Sequence, residues 1–156
     1  MKTNLKTSFI PKTKVEITQL GMGGAPLQDK WGTTREDALG ALQMAYDQGV
    51  RYFDTAPFYG SGSSERYNGE FLSSINRNDF VLSSKVGRLI QPDKTATFNY
   101  SRDDILKSIE ESLTRLNLDS IDILFIHDPD DHYEEALTQA YPTIEELKSQ
   151  GVIKAI

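Results

Sequence analysis

Residues 50–54, VRYFD, form a short apolar run that ends on a carboxylate, Asp54. Two further runs end in the same manner. Residues 80–85, FVLSSK, end on Lys85, and residues 121–127, IDILFIH, end on His127. Runs of this length, rich in Val, Ile, Leu and Phe, read as strands. The third is apolar enough to be buried on both faces. Tyr59 follows the first strand in the short loop DTAPFYG. Three successive strands that end on ionisable groups are not a pattern that packing alone repeats.

Outward from these runs, strands and helices alternate. A short strand over residues 15–18 reads as one arm of a hairpin with the segment near Phe9, and LGMGG (residues 20–24) as another strand. Thr34 caps a helix whose apolar face is Ala38, Leu39, Ala41, Leu42 and Ala45, with Gly49 just past its end. A second helix covers residues 64–75, weakened by Asn68 and Gly69. Ser101 caps a third, lined by Ile105, Ile109, Leu113 and Leu116, with Lys107 and Glu111 paired one turn apart. Residues 86–100 read as a long loop, of the kind that serves as a lid or stays disordered. A short helix near residues 134–140, a new helix from Pro142 and a strand from Val152 to Ile156 complete the chain. Such alternation implies parallel strands with right-handed crossovers. Parallel barrels carry their chemistry at the C-terminal ends of several strands, where Asp54, Lys85 and His127 fall.

The bulk numbers narrow the function. The chain has 156 residues, enough for a real core but short of the about 250 of a complete (β/α)8 barrel. A net charge of −6 argues against nucleic acid or an anionic membrane as the main partner. The absence of cysteine excludes disulfides, zinc-thiolate sites and thiol catalysis. The N-terminal segment has basic residues but no apolar h-region, and no apolar run approaches the roughly 20 residues of a membrane span. A cytoplasmic protein is the expectation. Asn99-Tyr100-Ser101 matches a glycosylation sequon by chance on this reading.

Singly, the four residues have bland explanations. Asp54 could cap a helix, Tyr59 could be a loop aromatic, and His127 could be a satisfied core histidine. Lys85 is harder to dismiss, because an ammonium in an enclosed space is costly unless paired. Together they make a proton-transfer site. A phenol of pKa about 10 is a poor base at neutral pH, an adjacent ammonium favours phenolate, and the buried ammonium needs a counter-charge, for which Asp54 is the candidate. His127 can donate a hydrogen bond that orients a substrate oxygen. No side chain supplies a hydride, so redox chemistry here requires a nicotinamide cofactor.

LGMGGAPL, GVRYFDTAPFYGSGSSE, FVLSSKVGR, SIEESLTRLNLDSIDILFIHDPD and GVIKAI together resemble the N-terminal half of the aldo-keto reductases. The resemblance runs from about residue 15 and implies a (β/α)8 TIM barrel, with the first four to five β/α units present. Residues 1–156 would then be the N-terminal part of a single barrel domain. It implies Tyr59 as proton donor or acceptor, Lys85 and Asp54 as the groups that tune it, and His127 as the substrate-orienting group. It also implies NADP or NAD as cofactor, touched here near Gly23 and Asp54, and a small carbonyl or sugar substrate. Most contacts to the cofactor's pyrophosphate and adenosine phosphate are expected beyond Ile156, in the other half of the barrel. FNYSRDDILKSIEESL and FIHDPDDHYEEAL look most like the branch that oxidises aldoses, such as L-fucose or D-threo-aldoses, or pyridoxal. Members usually carry an apolar residue where this chain has Asn68, and they continue past GVIKAI.

Other features are weaker. Gly21-Met22-Gly23-Gly24 lacks dinucleotide-fingerprint spacing and suits a close approach of backbone to the barrel mouth. Residues 60–64, GSGSS, read as a flexible loop before an anion site. Arg88 is as easily a solvated loop charge as a substrate contact. The run from His127 to His132 has metal-ligand composition without recognisable spacing, and Trp31 covers the site mouth or packs on the rim. The alternative function is a truncated, catalytically silent half-barrel that self-associates through exposed barrel edges or acts as a binding module. A minor third reading is a metal-dependent hydrolase using His127 and the acids after it.

Overall fold

The computed structural model describes residues 5–156; residues 1–4, the start of the N-terminal segment discussed above, lie outside the described residues. A four-stranded parallel sheet forms the frame, in the order β3 (Met22–Gly23), β4 (Tyr52–Asp54), β5 (Val81–Val86), β8 (Ile123–Ile126). Three helices return the chain between them: α1 (Arg35–Asp47), α2 (Ser63–Leu72) and α3 (Arg102–Leu116). The expected hairpin is present, with β1 (Thr7–Phe9) antiparallel to β2 (Glu16–Thr18).

Alternation along the strands sorts the side chains into two faces. On the helix side, Phe53, Leu82, Val86 and Leu124 join Leu42, Leu72, Ile105 and Leu116 in one core. On the inner face, Ile123 packs with Val15 and Ala155, against which Tyr52, Val81 and Ile17 rest. The polar members of the inner face, Asp54, Ser83, Lys85 and His127, lie toward the C-terminal ends.

The predicted helix boundaries have clear causes. Thr34 and Asp37 form a reciprocal capping box at the start of α1, and Gly49 beyond its end has φ 96°. Ser101 accepts a hydrogen bond from the Asp104 amide at the start of α3, and Asn117 ends it in the left-handed region at φ 50°. Lys107 and Glu111 do pair, at 4.0 Å.

Three expectations need correction. Residues 86–100 are not a structureless loop: β6 (Arg88–Ile90) and β7 (Ala96–Phe98) pair antiparallel across a turn. The alternation RLI…TATF is too short to stand out from a loop. Second, no break precedes Pro142. The helix runs from α4 (Tyr133–Glu135) through a π-helical turn (Ala136–Ala140) into α5 (Tyr141–Ser149). A proline inside a helix lacks its donor and collides with the carbonyl four residues back; the wider turn ahead of it makes that room. Third, residues 152–156 contribute one parallel bridge, Ala155 to Ile123, rather than a full strand. Ile156, expected to belong to that strand, lies outside any strand and rests half-buried against the helix-side core. Hydrophobic contact holds it there without a ladder of backbone bonds.

Buried charge pins the layers at two places. Glu65, in the first turn of α2, is fully buried. It accepts from Ser84 of β5 at 2.9 Å and from Arg115 of α3 at 2.6 Å. At the opposite, N-terminal end of the strands, Asp122 accepts from Arg77, the Leu82 amide and Lys154. Removing one partner of such a buried pair typically costs about 3–5 kcal/mol.

Gly69 shows why α2 tolerates a poor helix former. A Cβ there would stand 2.2 Å from the Leu116 carbonyl oxygen, so α2 and the end of α3 touch backbone to backbone. Gly69→Ala gains about 1 kcal/mol of helix propensity, whereas overpacking costs about 1–3 kcal/mol. Because the obstacle is backbone, the clash prevails. Urea denaturation is expected to show a variant less stable by about 1 kcal/mol, where propensity alone predicts a gain.

Candidate active site

The parallel register builds the site. Asp54 lies opposite Ser83, and Lys85 lies two residues further along the same face. From there the Lys85 Nζ donates to Asp54 Oδ1 and Oδ2, both at 2.8 Å, and to the Thr55 carbonyl at 2.9 Å. Ser83 Oγ donates to Asp54 Oδ1 at 2.7 Å and lies 3.1 Å from the Tyr52 hydroxyl. Burial is the main cause that raises the Tyr52 pKa. An ammonium has three donors, and the carboxylate and carbonyl take all three. Lys85 therefore meets Tyr59 through space, with Nζ 5.0 Å from the centre of the phenol ring.

Tyr59 is held by its loop. Its amide donates to the Ala56 carbonyl at 3.2 Å, and its own carbonyl accepts from the Ser64 amide at 3.2 Å. Gly60 and Gly62 take positive φ to make the turn. The GSGSS segment is thus an ordered turn that runs into α2, and the amides of Ser63 and Ser64 already have acceptors in the Gly60 and Tyr59 carbonyls. Among the described residues, no group hydrogen-bonds the Tyr59 hydroxyl.

His127 stands edge-on to Tyr59, with ring centres 5.8 Å apart and planes at 90°. The imidazole is 6% exposed, and its Nδ1 is buried with no hydrogen-bond partner. Its Nε2 is 3.8 Å from Asp128 Oδ2. The nearest acceptor to either ring nitrogen is Asp128 on the Nε2 side, so the hydrogen of the uncharged ring is assigned to Nε2. Burial lowers the His127 pKa to about 4, against a raising pull from Asp128 and with Lys85 and Arg88 reinforcing it. Tyr100 braces the segment from behind, donating to the carbonyls of His127 at 3.0 Å and Asp128 at 3.3 Å. Burial, then Asp128, pushes its phenol up to about 12, so it remains a donor.

Gly23, expected beside the cofactor, pairs in register with Asp54. Nothing lies within 4 Å of where its Cβ would be. The close backbone approach belongs to Gly24, whose Cβ would meet the Asp54 carbonyl and Ser64 Oγ at 2.6 Å. Ile156, the residue beyond which the other cofactor contacts are expected, packs half-buried on the helix-side core. Asn68 is fully buried, and its Nδ2 donates to the Ser64 carbonyl at 2.9 Å. Trp31 is 63% exposed.

The run after His127 disperses. Asp128 pairs with Arg88, while His132 stacks on Phe98 and pairs with Glu135. No group of three metal-ligating side chains occurs among the described residues. Sequence reasoning missed Ser83, although period two places it on the face of Lys85. It also missed Glu65 and Arg115, 50 residues apart, which no local pattern joins.

The depressed His127 pKa couples folding to pH. The unfolded imidazole takes its proton near pH 6.5 and the folded one only near 4. Stability is therefore complete above about pH 6.5 and falls as pH drops toward 4, by roughly 3 kcal/mol in all. Unfolding free energies at pH 7 and pH 4 are expected to diverge by about that much more for the wild type than for His127→Gln.

The fold has known counterparts. The model of the aldo/keto reductase family matches residues 19–156. D-threo-aldose 1-dehydrogenase from Pseudomonas sp. is 38% identical, over 90% of this chain and 49% of that protein. Pyridoxal 4-dehydrogenase from Microbacterium luteolum is 32% identical, over 92% of this chain and 52% of that one. A putative aldo-keto reductase from Pseudomonas aeruginosa superposes with a TM-score of 0.82 at 30% identity, over 94% of this chain and 57% of its own. The holo form of an aldo-keto reductase from Bacillus halodurans gives 0.81 at 28% identity, over 96% and 48%. The chain thus spans about half the length of the curated relatives it matches. With a parallel sheet of the (β/α)8 type and a match over residues 19–156, this chain belongs to the aldo/keto reductase family of oxidoreductases.

Proposed function

We propose that residues 1–156 are the N-terminal part of one barrel domain that interconverts a carbonyl, an aldose or aldehyde, and its alcohol or lactone with NADP or NAD. The observation that carries this reading is the convergence of four groups. Lys85 is locked to Asp54 at 2.8 Å and faces the Tyr59 ring at 5.0 Å, and Tyr59 stands 5.8 Å from His127.

Tyr59 is the proton donor in reduction and the acceptor in oxidation. Its hydroxyl has no hydrogen-bond partner among the described residues and is free for substrate. His127 directs its Nε2–H at the substrate oxygen, and its uncharged ring does not compete for the transferred proton. Asp54 fixes the ammonium, which stabilises negative charge developing on the phenol oxygen. The nicotinamide, when bound, supplies or accepts the hydride. The open ledge at Gly23, beside Asp54, fits its flat ring, and these two residues would hold that end. The aldose and pyridoxal dehydrogenases among the relatives support a sugar or aldehyde substrate. No helix of the described residues is long and apolar enough to cross a membrane.

Tyr59→Phe removes one oxygen from a half-buried ring and should leave circular dichroism unchanged. Carbonyl reduction should fall by about 10²–10⁴, as expected for loss of a general acid; unaltered turnover would exclude Tyr59 from the proton transfer. Trp31, the single tryptophan, reports cofactor binding by fluorescence quenching, and an absent response at roughly millimolar NADPH and NADH would remove the reading that Gly23 and Asp54 by themselves hold the nicotinamide end.

A further inference from the structure

Arg88 has a place that the proton-transfer scheme does not use. Its guanidinium lies 4.0 Å from the ring centre of Phe58 and 5.5 Å from that of Phe98. Its Nη1 is 2.5 Å from Asp128 Oδ2. Phe58 precedes Tyr59, Arg88 follows Lys85 by three residues, and Asp128 follows His127. One cation therefore ties together the three loops that carry Tyr59, Lys85 and His127. The arrangement has a cost: Arg88 Nε is buried with no partner, the kind of orphan that stability alone does not select. Asp128 also sits in the left-handed region, at φ 45°. Gly87, whose Cβ would collide with the Tyr100 ring at 2.2 Å, lets the hairpin lie against the tyrosine that pins His127 and Asp128.

We propose that Arg88 is a positioning residue, which clamps the Asp128 carboxylate at the rim so that it does not pair with His127 and the Nε2–H stays free for the substrate oxygen. This rests on the role given to His127 above. Asp128 Oδ2 is 3.8 Å from Nε2 but much closer to the guanidinium. Released, it would need to move only about 1 Å to make a charge-assisted hydrogen bond. A carboxylate at that distance favours the imidazolium, and the Nε2–H would then point at Asp128 instead of the reaction space. The other groups facing the imidazole leave that balance to Arg88. Lys85 and Asp54, from β5 and β4, are paired with each other. The Tyr59 ring meets the imidazole edge-on, the Tyr100 phenol bonds its carbonyl, and His132 with Glu135 sits beyond Phe98.

The test is an NMR titration of the imidazole nitrogens. The chain has two histidines, so His132→Gln leaves His127 alone in the spectrum. Arg88→Met keeps the stem that packs on Phe58 and Phe98 and removes the charge. It should raise the proton affinity of His127 at least about tenfold. Arg88→Lys should hold it within about threefold of wild type, and Arg88→Met with Asp128→Asn should return it there. An unmoved midpoint in Arg88→Met, or a raised one that persists in the double variant, overturns the proposal. Should Arg88→Met not fold, Asp128→Asn alone should lower the affinity, and no change would overturn it equally. The titration needs no turnover. Its failure leaves the reading of Tyr59 standing, and active Tyr59→Phe would leave the clamp standing.

Discussion

An ammonium inside a strand layer costs several kcal/mol to desolvate unless a counter-charge and acceptors meet it. The register of β4 on β5 meets that demand, because Asp54 stands opposite Ser83 and within reach of Lys85. Every other feature of the site is referred to this pair. The Thr55 carbonyl that takes the third donor belongs to the loop that presents Tyr59, and β8 sets His127 across from it. A one-residue slip of β4 would carry Asp54 to the helix face, leaving Lys85 unpaired and placing Phe53 where the carboxylate stands.

The helix side carries a second constraint of the same kind. Glu65 is fully buried and ties α2 to β5 through Ser84 and to α3 through Arg115. The loop before α2 holds Tyr59, so the ion pair that fixes this helix also fixes the height of the phenol above the sheet. Asp122 has a comparable role at the opposite end of the strands, where barrels keep stability apart from chemistry.

Much of this is legible in the sequence, for identifiable reasons. VRYFD, FVLSSK and IDILFIH announce strands because apolar runs bounded by polar punctuation have few other uses. Thr34, Ser101 and Gly49 announce helix ends because caps are chosen by local geometry. The site is legible because Asp54, Lys85 and His127 each fall within one residue of a strand's end, with Tyr59 in the loop after the first. The β6–β7 hairpin is not legible, since its strands are three residues long and contain no fully buried residue to mark an inner face. Nor is the partnership of Glu65 with Arg115, or of Arg88 with Asp128. These join residues 40 or more positions apart, and a charge in the sequence looks the same whether solvated or buried. The π-helical turn before Pro142 reads as a break, because proline signals an obstruction and not how the backbone goes round it. The apolar run up to Ile156 reads as a strand, because periodicity does not say how many of its backbone groups find a neighbour.

Lys85 uses its three hydrogens on Asp54 and Thr55, and the Tyr59 hydroxyl has no hydrogen-bond partner among the described residues. Among the described residues, no chain of donors and acceptors leads from the phenol into the sheet. In the role proposed for Tyr59, its proton would therefore be exchanged on the open side, with substrate or solvent, while Lys85 acts on the phenol through charge alone.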